Sequence, residues 1–370
     1  MKTKAAVLWE LGKNWEVVEL DLDPPKQSEV LIRYVAAGLC HSDEHLRHGD
    51  IVPRFPLVGG HEGAGIVEEV GPGVSRVKPG DHVVCSFIPS CGFCRWCSTG
   101  QQNLCDLGAT ILEGCMPDGT FRFHSGDNDL GAMCMIGTFS QWSTISETSC
   151  VKVDNDLDLE TAVLVGCGVP TGWGSAVYAA EVEPGDTVAI YGIGGIGVNA
   201  VQGAKCAGAT NIVAIDPLPN KREMAEQMGA THAVESAAAA QELVMQLTRG
   251  VGADKSIVTV DIVTEEVVQA GFDVIRKGGT EVITGLADPM KQTVHLSGAV
   301  MTLFQKTVKG TLFGASNPMR DITKMLDLYQ AGQIKLDELV TKKYKLEEIN
   351  QGYDDLLAGK NVRGVIVHEH

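Results

Sequence analysis

A glycine-rich turn between a strand-like segment and a helix-like segment is the feature that most limits how this chain can fold. The stretch GIGGIG at 192–197 follows TVAIY and precedes GVNAVQGAKCAGA. It fits G-x-G-x-x-G through Gly192, Gly194 and Gly197, with Gly195 between them. The first glycine permits a tight turn, the second admits a pyrophosphate, and the third lets the helix pack on the strand. The turn therefore predicts a dinucleotide-binding unit; the alternative is a glycine-rich turn without a ligand.

An aspartate after the next strand supports the nucleotide interpretation. Asp216 ends NIVAID, nineteen residues after Gly197. A carboxylate there hydrogen-bonds the adenosine ribose diol and repels a 2′-phosphate, which favours NAD over NADP. The alternative is an aspartate that only caps a helix.

The pattern of apolar runs changes along the chain. Residues 1–165 contain short β-like runs such as EVLIRYVAAG, GAGIVEEVGPGV and DHVVCSFIP, which predict a mostly antiparallel, barrel-like domain. After residue 170, strands such as SIVTVD and TEVITG alternate with helical segments such as NKREMAEQMGA, which predicts a parallel sheet. A helical DITKMLDLYQAG and a strand-like VRGVIVH end the chain. Since one core rarely serves more than roughly 250–300 residues, this 370-residue chain is predicted to be a two-domain α/β protein.

Four cysteines within fifteen residues form a candidate metal site. The spacing C-x2-C-x2-C-x7-C is made by Cys91, Cys94, Cys97 and Cys105. Four thiolates can close a tetrahedral zinc site, and an iron–sulfur cluster is the alternative. A metal with four protein ligands has no open position for a substrate, so this site is predicted to be structural.

A second candidate set lies outside that cluster. It consists of Cys40 in GLCHSDEH, His61 in GGHEGAG and Cys167 in LVGCGVPTGWG. Two cysteines and one histidine would bind zinc and leave its fourth position open, as catalytic sites require. Each residue alone has a simpler interpretation as a buried thiol or a hydrogen-bonded histidine. Sequence spacing by itself does not join them.

Several motifs together carry a family resemblance. GLCHSD, GHEGAGIVEEVGPGV, KPGDHV, the four-cysteine lobe, VGCGVPTGWG and GIGGIG occur in this order. In the presence and order of these motifs, the whole chain resembles the zinc-dependent medium-chain alcohol dehydrogenases. MKTKAAVLWE, HSDEH and MCMIGTFSQW also resemble the actinobacterial, NDMA-dependent branch. Members of that branch retain their nicotinamide cofactor between turnovers and are associated with the redox peptide mycofactocin.

The resemblance implies an architecture and a cofactor set. It implies a GroES-like catalytic domain from residues 1–168 and 312–370, and an inserted Rossmann domain from residues 169–311. It places a catalytic zinc on Cys40, His61 and Cys167, and a structural zinc on the four clustered cysteines. It also implies a homo-oligomer, an NAD that stays bound, and an external electron acceptor of the mycofactocin type.

The same resemblance assigns roles around the catalytic zinc. The metal would acidify a bound alcohol so that hydride can leave for nicotinamide. Ser42 would take the first hydrogen bond from the alcohol, and the cofactor ribose would pass the proton to His45 near the surface. Asp43 is expected to orient His61, and Glu62 to lie behind the metal. The alternatives are a turn serine, a solvated loop histidine and, for Glu62, an ordinary salt bridge.

Further contacts are expected with cofactor and substrate. His41 occupies a position where the family often has arginine near the pyrophosphate. Lys221 is expected near the adenosine and Arg363 near a phosphate; the alternative for both is a solvated surface charge. Phe87 and Leu312 match positions that line the substrate pocket, and their alternative is core packing.

Composition excludes some classes of function and predicts a compartment. The formal net charge of −17 disfavours binding to nucleic acid or an anionic membrane. No apolar stretch approaches the roughly 18–20 residues that span a bilayer, and the N-terminal apolar run is too short for a signal peptide. Eleven cysteines without an export signal predict a reducing compartment, by default the cytoplasm. The cysteines outside the two sets are expected to be buried, namely Cys85, Cys115, Cys134, Cys150 and Cys206.

The sequence therefore predicts zinc-dependent oxidation of primary alcohols to aldehydes, with small-molecule alcohols or aldehydes as partners. Two other functions are considered. A thiol-dependent formaldehyde dehydrogenase would share the fold and the metals but act on the adduct of formaldehyde with glutathione or mycothiol. A dehydrogenase-fold protein that binds nucleotide without turnover would commonly lack the catalytic zinc ligands, which are present here.

Overall fold

A computed structural model of the protein describes residues 1–287 and 293–370. The chain divides into a first unit, Met1–Cys167 with Asn317–His370, and a second unit, Gly168–Ser316.

The regular elements of the described residues are numbered along the chain. The strands are β1 (Lys2–Leu8), β2 (Glu16–Leu22), β3 (Glu29–Leu39), β4 (Leu57–Val58), β5 (Gly63–Val70), β6 (His82–Cys85), β7 (Phe123–Ser125), β8 (Asn128–Ala132), β9 (Trp142–Ser146), β10 (Cys150–Val153), β11 (Thr187–Tyr191), β12 (Asn211–Ile215), β13 (His232–Val234), β14 (Ala253–Val258), β15 (Ile262–Val263), β16 (Ile275–Ile283), β17 (Leu286–Ala287), β18 (Thr307–Gly310), β19 (Val340–Tyr344) and β20 (Arg363–Val367). The α-helices are α1 (His41–His48), α2 (Arg95–Ser98), α3 (Leu159–Ala162), α4 (Gly168–Gly174), α5 (Gly197–Cys206), α6 (Pro219–Met228), α7 (Ala237–Leu247), α8 (Glu265–Val274), α9 (Gly298–Leu303), α10 (Pro318–Gln330) and α11 (Ile349–Leu357). A π-helical stretch covers Ser175–Ala179. Short 3-10 turns lie at Gln102–Leu104, Asp106–Thr110, Met133–Met135, Glu147–Ser149, Val163–Gly166, Phe313–Ala315, Asp337–Leu339 and Leu346–Glu348.

A closed barrel forms part of the first unit. Its strands follow the order β1, β2, β7, β8, β4. Because side chains alternate along a strand, β1 serves two cores. Ala5 and Val7 lie in a cluster that includes Phe123 of β7, whereas Ala6 and Leu8 lie in the larger cluster of this unit. This double burial explains why residues 5–8 of β1 form a continuous apolar run.

The second sheet of the first unit is organised around β3. Its order is β10, β6, β5, β3, β20, β19, and β9 also pairs with β3. β3 is antiparallel to β5, β9 and β20. The C-terminal strand β20 therefore returns to the N-terminal part of the chain, with Gly364 opposite Leu39. The predicted mostly antiparallel, barrel-like domain is confirmed, as are the predicted C-terminal helix and strand.

The second unit contains the predicted parallel sheet. The strands follow the order β13, β12, β11, β14, β16, β18, and each neighbouring pair is parallel. When only the six strands of this sheet are numbered, in chain order, this is the order 3-2-1-4-5-6 of dinucleotide-binding sheets. β11 is buried along its whole length and leads directly into the glycine-rich turn and α5. The prediction of a Rossmann-type sheet is confirmed.

The chain passes from the second unit back to the first a few residues later than expected. The family resemblance predicts this return at residue 312, whereas the first unit resumes at Asn317. Residues before Asn317 stay with the second unit because they pack on α4: the Ser316 hydroxyl donates to the Pro170 carbonyl at 3.0 Å. Gly314 has φ +62°, and a Cβ there would lie 2.3 Å from the Thr171 carbonyl oxygen. This close approach was not readable from the sequence.

One cysteine is not buried as expected. Cys85, Cys115, Cys134 and Cys150 are buried, but Cys206 is exposed. Cys206 is the last residue of α5, where the helix leaves the sheet surface.

Membrane-spanning helices were sought in the described part of the chain. No single helix there has the length and apolar composition needed to cross a membrane. One bent pair of helical segments, Leu159–Gly166 with Gly168–Ala179, reaches the required length and apolar composition only when the two segments are counted together.

The second unit buries a carboxyl group inside its sheet. Glu281 of β16 is fully buried, and among the described residues neither carboxyl oxygen has a hydrogen-bond partner. A Cβ on Gly271 of α8 would lie 2.4 Å from Oε1, so the helix can pass only because that residue is glycine. Burial raises the pKa of Glu281 to about 8, with a further upward contribution from Asp273 and an opposing one from Lys306. The buried group is therefore neutral at pH 7.

This carboxyl group predicts a loss of stability at alkaline pH. An acid whose pKa is raised on folding destabilises the fold as pH rises from its ordinary value of 4.5 through about 8. The loss should reach up to about 5 kcal/mol. We expect Glu281→Gln to reduce the fall in unfolding free energy between pH 6 and pH 9, measured by denaturant titration. Glu223→Gln, at an exposed glutamate of the same unit, is the control and should follow the wild type. An unchanged pH dependence in Glu281→Gln would contradict this assignment.

Candidate active site and metal centres

Strand pairing brings together two of the predicted metal ligands. β3 ends at Leu39, so Cys40 follows it directly, and His61 lies two residues before β5 begins. β3 and β5 are antiparallel, with Ala37 opposite Gly63. The end of one strand therefore meets the beginning of the other.

The ligand atoms of Cys40, His61, Glu62 and Cys167 lie within 4.8 Å of one another, and all four residues are buried. Nε2 of His61 is buried and has no hydrogen-bond partner among the described residues. Burying such a nitrogen without a partner is unfavourable unless something else binds it. Two thiols and an imidazole are also the donor types that zinc prefers. The cluster therefore fits a metal ion.

The two thiols of this cluster differ in acidity. A hydrogen bond from Cys167 lowers the pKa of Cys40 well below its usual value; burial opposes this effect, and His61 adds to it. The same contact with Cys40, together with burial, raises the pKa of Cys167.

His61 is oriented from behind by Asp43, the contact expected from the sequence. Oδ2 of Asp43 lies 3.1 Å from Nδ1 of His61, and Oδ1 accepts a hydrogen bond from the Gly60 amide at 3.0 Å. Burial raises the pKa of Asp43, and His61 partly offsets this effect. Burial alone would lower the pKa of His61, but Asp43 and Cys40 raise it well above its usual value. Neither ring nitrogen makes a hydrogen bond among the described residues, but Nδ1 faces Asp43, so Nε2 is the nitrogen available to a metal.

A buried ion pair joins Glu62 to Arg363. Arg363 begins β20, and its guanidinium donates to Oε2 of Glu62. Burial raises the pKa of Glu62 to about 7 against the opposing effect of Arg363. Arg363 is 4% exposed, so the alternative of a solvated surface charge is wrong for this residue. Its expected contact with a cofactor phosphate stays a prediction.

Helix α1 carries three residues that were expected to act near the metal. His41 begins the helix, and the Ser42 hydroxyl lies 3.7 Å from the Cys40 sulfur. His45 was expected near the surface but is 6% exposed, because it lies on the buried side of α1. Its Nδ1 lies 2.7 Å from Oδ2 of Asp50. The alternatives of a turn serine and a solvated loop histidine are therefore wrong.

The two expected pocket residues lie in different units. Phe87 follows β6 in the first unit, and its ring meets the His61 ring edge-on with centroids 5.7 Å apart. Leu312 belongs to the second unit and is 47% exposed, so core packing does not describe it. Phe87 thus provides an apolar wall beside the metal cluster.

The four clustered cysteines converge in a separate lobe. Their sulfur atoms also lie within 4.8 Å of one another, and those of Cys91 and Cys97 are 3.8 Å apart. With metal–sulfur bonds of about 2.3 Å, a tetrahedral site has sulfur–sulfur edges of about 3.8 Å. The Cys94 amide donates to the Cys91 sulfur and the Cys97 amide to the Cys94 sulfur, at 3.2 and 3.4 Å. The backbone amides of Cys97 and Asp106, in that order of importance, lower the pKa of Cys94 to about 6.

The glycine-rich turn of the second unit has the predicted local geometry. Gly192 has φ +87°, a Cβ on Gly197 would lie 1.9 Å from the Gly192 carbonyl oxygen, and a Cβ on Gly194 would meet no protein atom within 4 Å. The carbonyl of Gly195 accepts a hydrogen bond from the Asn199 side chain. Gly192 thus permits the turn, Gly197 the close packing and Gly194 the approach of a ligand, which fits a dinucleotide.

Asp216 and Lys221 lie beside this turn. One Asp216 oxygen accepts from the Ile193 amide at 2.8 Å and the other from the Leu218 amide at 2.9 Å. Each oxygen keeps a further lone pair for a ribose hydroxyl. Lys221 is 9% exposed, so it too is not a solvated surface charge, and burial lowers its pKa.

Two residues of the candidate site were missed in the sequence. Gly38 lies beside the ion pair, since a Cβ there would be 2.1 Å from Oε2 of Glu62. The signal was a glycine two residues before a proposed ligand in an otherwise apolar strand. Asp50 pairs with His45, and its signal was a glycine that ends the helix directly before it.

Family comparisons match most of the chain. A model described as the alcohol dehydrogenase GroES-like domain matches residues 26–155, and one described as zinc-binding dehydrogenase matches residues 195–331. The expected GroES-like and nucleotide-binding combination is confirmed.

Relatives extend over the full length. The chain is 67% identical over 368 residues to an NDMA-dependent alcohol dehydrogenase of Amycolatopsis methanolica, covering 100% of this chain and 99% of that protein. It is 48% identical over 368 residues to alcohol dehydrogenase B of Mycobacterium tuberculosis, covering 99% and 98%. Among solved structures, benzyl alcohol dehydrogenase from Acinetobacter calcoaceticus has a TM-score of 0.93 at 29% identity, with 100% of both chains covered. An alcohol dehydrogenase zinc-binding domain protein from Burkholderia ambifaria has a TM-score of 0.94 at 30% identity, with the same coverage.

The space beside Gly38 generates a prediction about metal binding. We expect Gly38→Ala to displace Glu62 and Arg363 and to weaken metal binding at the Cys40 cluster by about 10- to 100-fold, the usual effect of disturbing groups behind a ligand. Metal analysis after dialysis against a weak chelator measures this. Gly108→Ala, where a Cβ would meet no atom within 4 Å, is the control. Equal metal retention by both variants would contradict the prediction.

Proposed function

Because the chain belongs to the zinc-dependent medium-chain alcohol dehydrogenases, and within them to the NDMA-dependent branch, we propose that its Cys40 cluster oxidises primary alcohols to aldehydes. The observation that carries this proposal is the convergence of Cys40, His61 and Cys167 in one buried cluster. Glu62, the fourth residue of this cluster, is paired with Arg363. The other three ligands would therefore leave a fourth position on zinc for the substrate oxygen. The proposal that the protein binds nucleotide without turnover is set aside, because the catalytic ligand set is complete.

The chemistry is divided between the cofactors and the chain. When bound, zinc supplies a Lewis acid for the alcohol oxygen and NAD supplies the hydride acceptor. Ser42, next to Cys40, would accept the hydrogen bond of the alcohol, and His45 would take the proton onward. Phe87 would exclude water and favour apolar alkyl or aromatic alcohols, which agrees with the similarity to a benzyl alcohol dehydrogenase.

The four-cysteine lobe would bind a second zinc with a structural role. Its four sulfurs saturate a tetrahedral metal, so no position is left for substrate. Zinc is favoured over an iron–sulfur cluster because the Cys91–Cys97 separation of 3.8 Å matches one shared metal atom. This zinc would stabilise a loop that contains only short helical segments.

The second unit would bind NAD and retain it between turnovers. Asp216 would accept hydrogen bonds from the ribose diol and repel a 2′-phosphate. His41, Lys221 and Arg363 would add contacts to the phosphates and the adenosine. An external acceptor of the mycofactocin type would then reoxidise the bound NADH. Support comes from the NDMA-dependent relative at 67% identity.

Compartment and assembly belong to the same proposal. A cytoplasmic location would keep the zinc-binding thiols reduced. A homo-oligomer is proposed from family resemblance alone. The thiol-dependent formaldehyde dehydrogenase remains the competing enzyme, and its need for added glutathione or mycothiol distinguishes it.

Two cysteine variants test the division between the metal centres. We expect Cys40→Ser to lower alcohol turnover by at least about 100-fold while the protein stays folded, because the metal loses one of its three protein ligands. Cys97→Ser should mainly lower thermal stability or assembly, because it opens the lobe. Turnover, melting temperature and zinc content are measured for both. Equal loss of activity in two fully folded, assembled proteins would contradict the division.

Cofactor retention has a direct test. Extensively dialysed protein is denatured, and the supernatant is assayed for nicotinamide cofactor. We expect close to one cofactor per chain, and alcohol-dependent reduction of NDMA without added NAD. An empty supernatant with steady turnover on added NAD would indicate a conventional dehydrogenase. Formaldehyde oxidation that requires added thiol would favour the competing enzyme.

A further inference from the structure

A histidine–aspartate pair follows from the way helix α1 ends. Gly49 ends the helix with φ +92°, and its amide donates to the His45 carbonyl at 3.0 Å. The Ile51 amide also donates to that carbonyl, at 3.3 Å. The chain therefore turns back over the helix end and brings Asp50 to the His45 ring. Nδ1 of His45 and Oδ2 of Asp50 are 2.7 Å apart.

The chemistry of the pair indicates which ring nitrogen of His45 carries the proton. An ionised carboxylate can only accept hydrogen bonds, so in the resting pair Nδ1 donates to Asp50. In the neutral ring, Nε2 is then the nitrogen that can accept a proton. The side chain of His45 is 7% exposed and that of Asp50 is 34% exposed. The pair thus leads from a shielded imidazole to a partly exposed carboxylate side chain.

We propose that Asp50 holds His45 in the Nδ1–H tautomer and carries the reaction proton from His45 to water. This inference rests on the proposed alcohol oxidation, in which each alcohol gives one hydride to NAD and one proton to the relay. The proton released by the alcohol forms a bond with Nε2. The Nδ1–H bond of the same ring breaks, and the proton from Nδ1 bonds to Asp50. Asp50 then loses this second proton to water. The pair transfers protons only, and no electrons.

The proposed retained cofactor makes this relay reversible within one cycle. Oxidation of the alcohol sends one proton outward and leaves the ring as the Nε2–H tautomer. Reduction of the external acceptor consumes one hydride from NADH and one proton. That proton enters from water through Asp50 and restores Nδ1–H. One pair therefore serves both halves of the cycle and returns to its starting state.

The chain offers a matched control at the same spacing. His124 and Asp129 are also five residues apart, and Nδ1 of His124 lies 2.9 Å from Oδ1 of Asp129. Their side chains are 27% and 53% exposed, and they lie on the barrel strands β7 and β8. Removing the carboxylate of this pair tests for a general effect of losing a histidine–aspartate contact.

The experiment uses the holoenzyme and its Asp50→Asn, Asp50→Ala and Asp129→Asn variants. Proton release in a single turnover is followed with a pH-indicator dye. The tautomer of His45 is read from 15N-histidine NMR spectra, with His45→Gln identifying the signal. The amide oxygen of Asp50→Asn still accepts from Nδ1–H but cannot carry a proton onward.

We expect Asp50→Asn to keep the tautomer and to slow proton release by about 10- to 100-fold, within the usual range for assisted proton transfer. Asp50→Ala should lose both the Nδ1–H tautomer and the fast proton release. Added imidazole should accelerate proton release in Asp50→Asn. Asp129→Asn should match the wild type in both measurements. If Asp50 only held His45 in position, a small base such as imidazole would not restore proton release. Rescue by imidazole therefore distinguishes proton transfer by Asp50 from structural support.

Three results would overturn the inference. They are wild-type proton release in Asp50→Asn, an Nε2–H tautomer in the resting wild type, and equal slowing in Asp129→Asn. A wild type that oxidises no alcohol would instead refute the proposed function, and the relay with it. An active wild type with an unaffected Asp50→Asn refutes only the relay.

Discussion

The antiparallel pairing of β3 with its neighbours is the constraint on which the candidate active site depends. β3 pairs with β5 on one side and with β20 on the other, and its last residue is followed by Cys40. This arrangement brings His61 and Glu62 from one neighbour and Arg363 from the other to the same strand end. Residues more than three hundred positions apart in sequence meet because backbone hydrogen bonds fix the register.

Burial of charge at this strand end requires each charged group to have a partner. Arg363 pairs with Glu62, and Asp43 faces His61, in a region almost without solvent. An isolated buried charge would be strongly unfavourable, whereas paired charges with fixed hydrogen bonds can hold a metal ligand in one orientation. Gly38 is part of this arrangement because a larger side chain would occupy the position of the Glu62 carboxylate. The metal ligands and the groups behind them therefore form one connected network.

The metal cluster and the four-cysteine lobe differ in how far sequence reasoning could describe them. The lobe is local: its four ligands span fifteen residues, and their spacing alone predicts that they converge. The cluster of Cys40, His61 and Cys167 is non-local, and spacing could not join the three. The resemblance supplied the grouping, and strand register supplies the physical reason. His45 shows the same limit: the resemblance placed it near the surface, whereas the turn at Gly49 brings Asp50 against its ring.

The sequence by itself determined the fold class, the glycine turn with Asp216 and the four-cysteine lobe, since these features depend on residues that are neighbours along the chain. Local spacing is enough when a turn, a strand period or a short loop brings the groups together. Only the tertiary structure decided that Arg363 pairs with Glu62, that Gly38 must lack a side chain, and that Asp50 contacts His45. These contacts depend on strand register and on where a helix ends in space. Neither strand register nor the position of a helix end in space produces a periodic pattern that can be recognised in a single sequence.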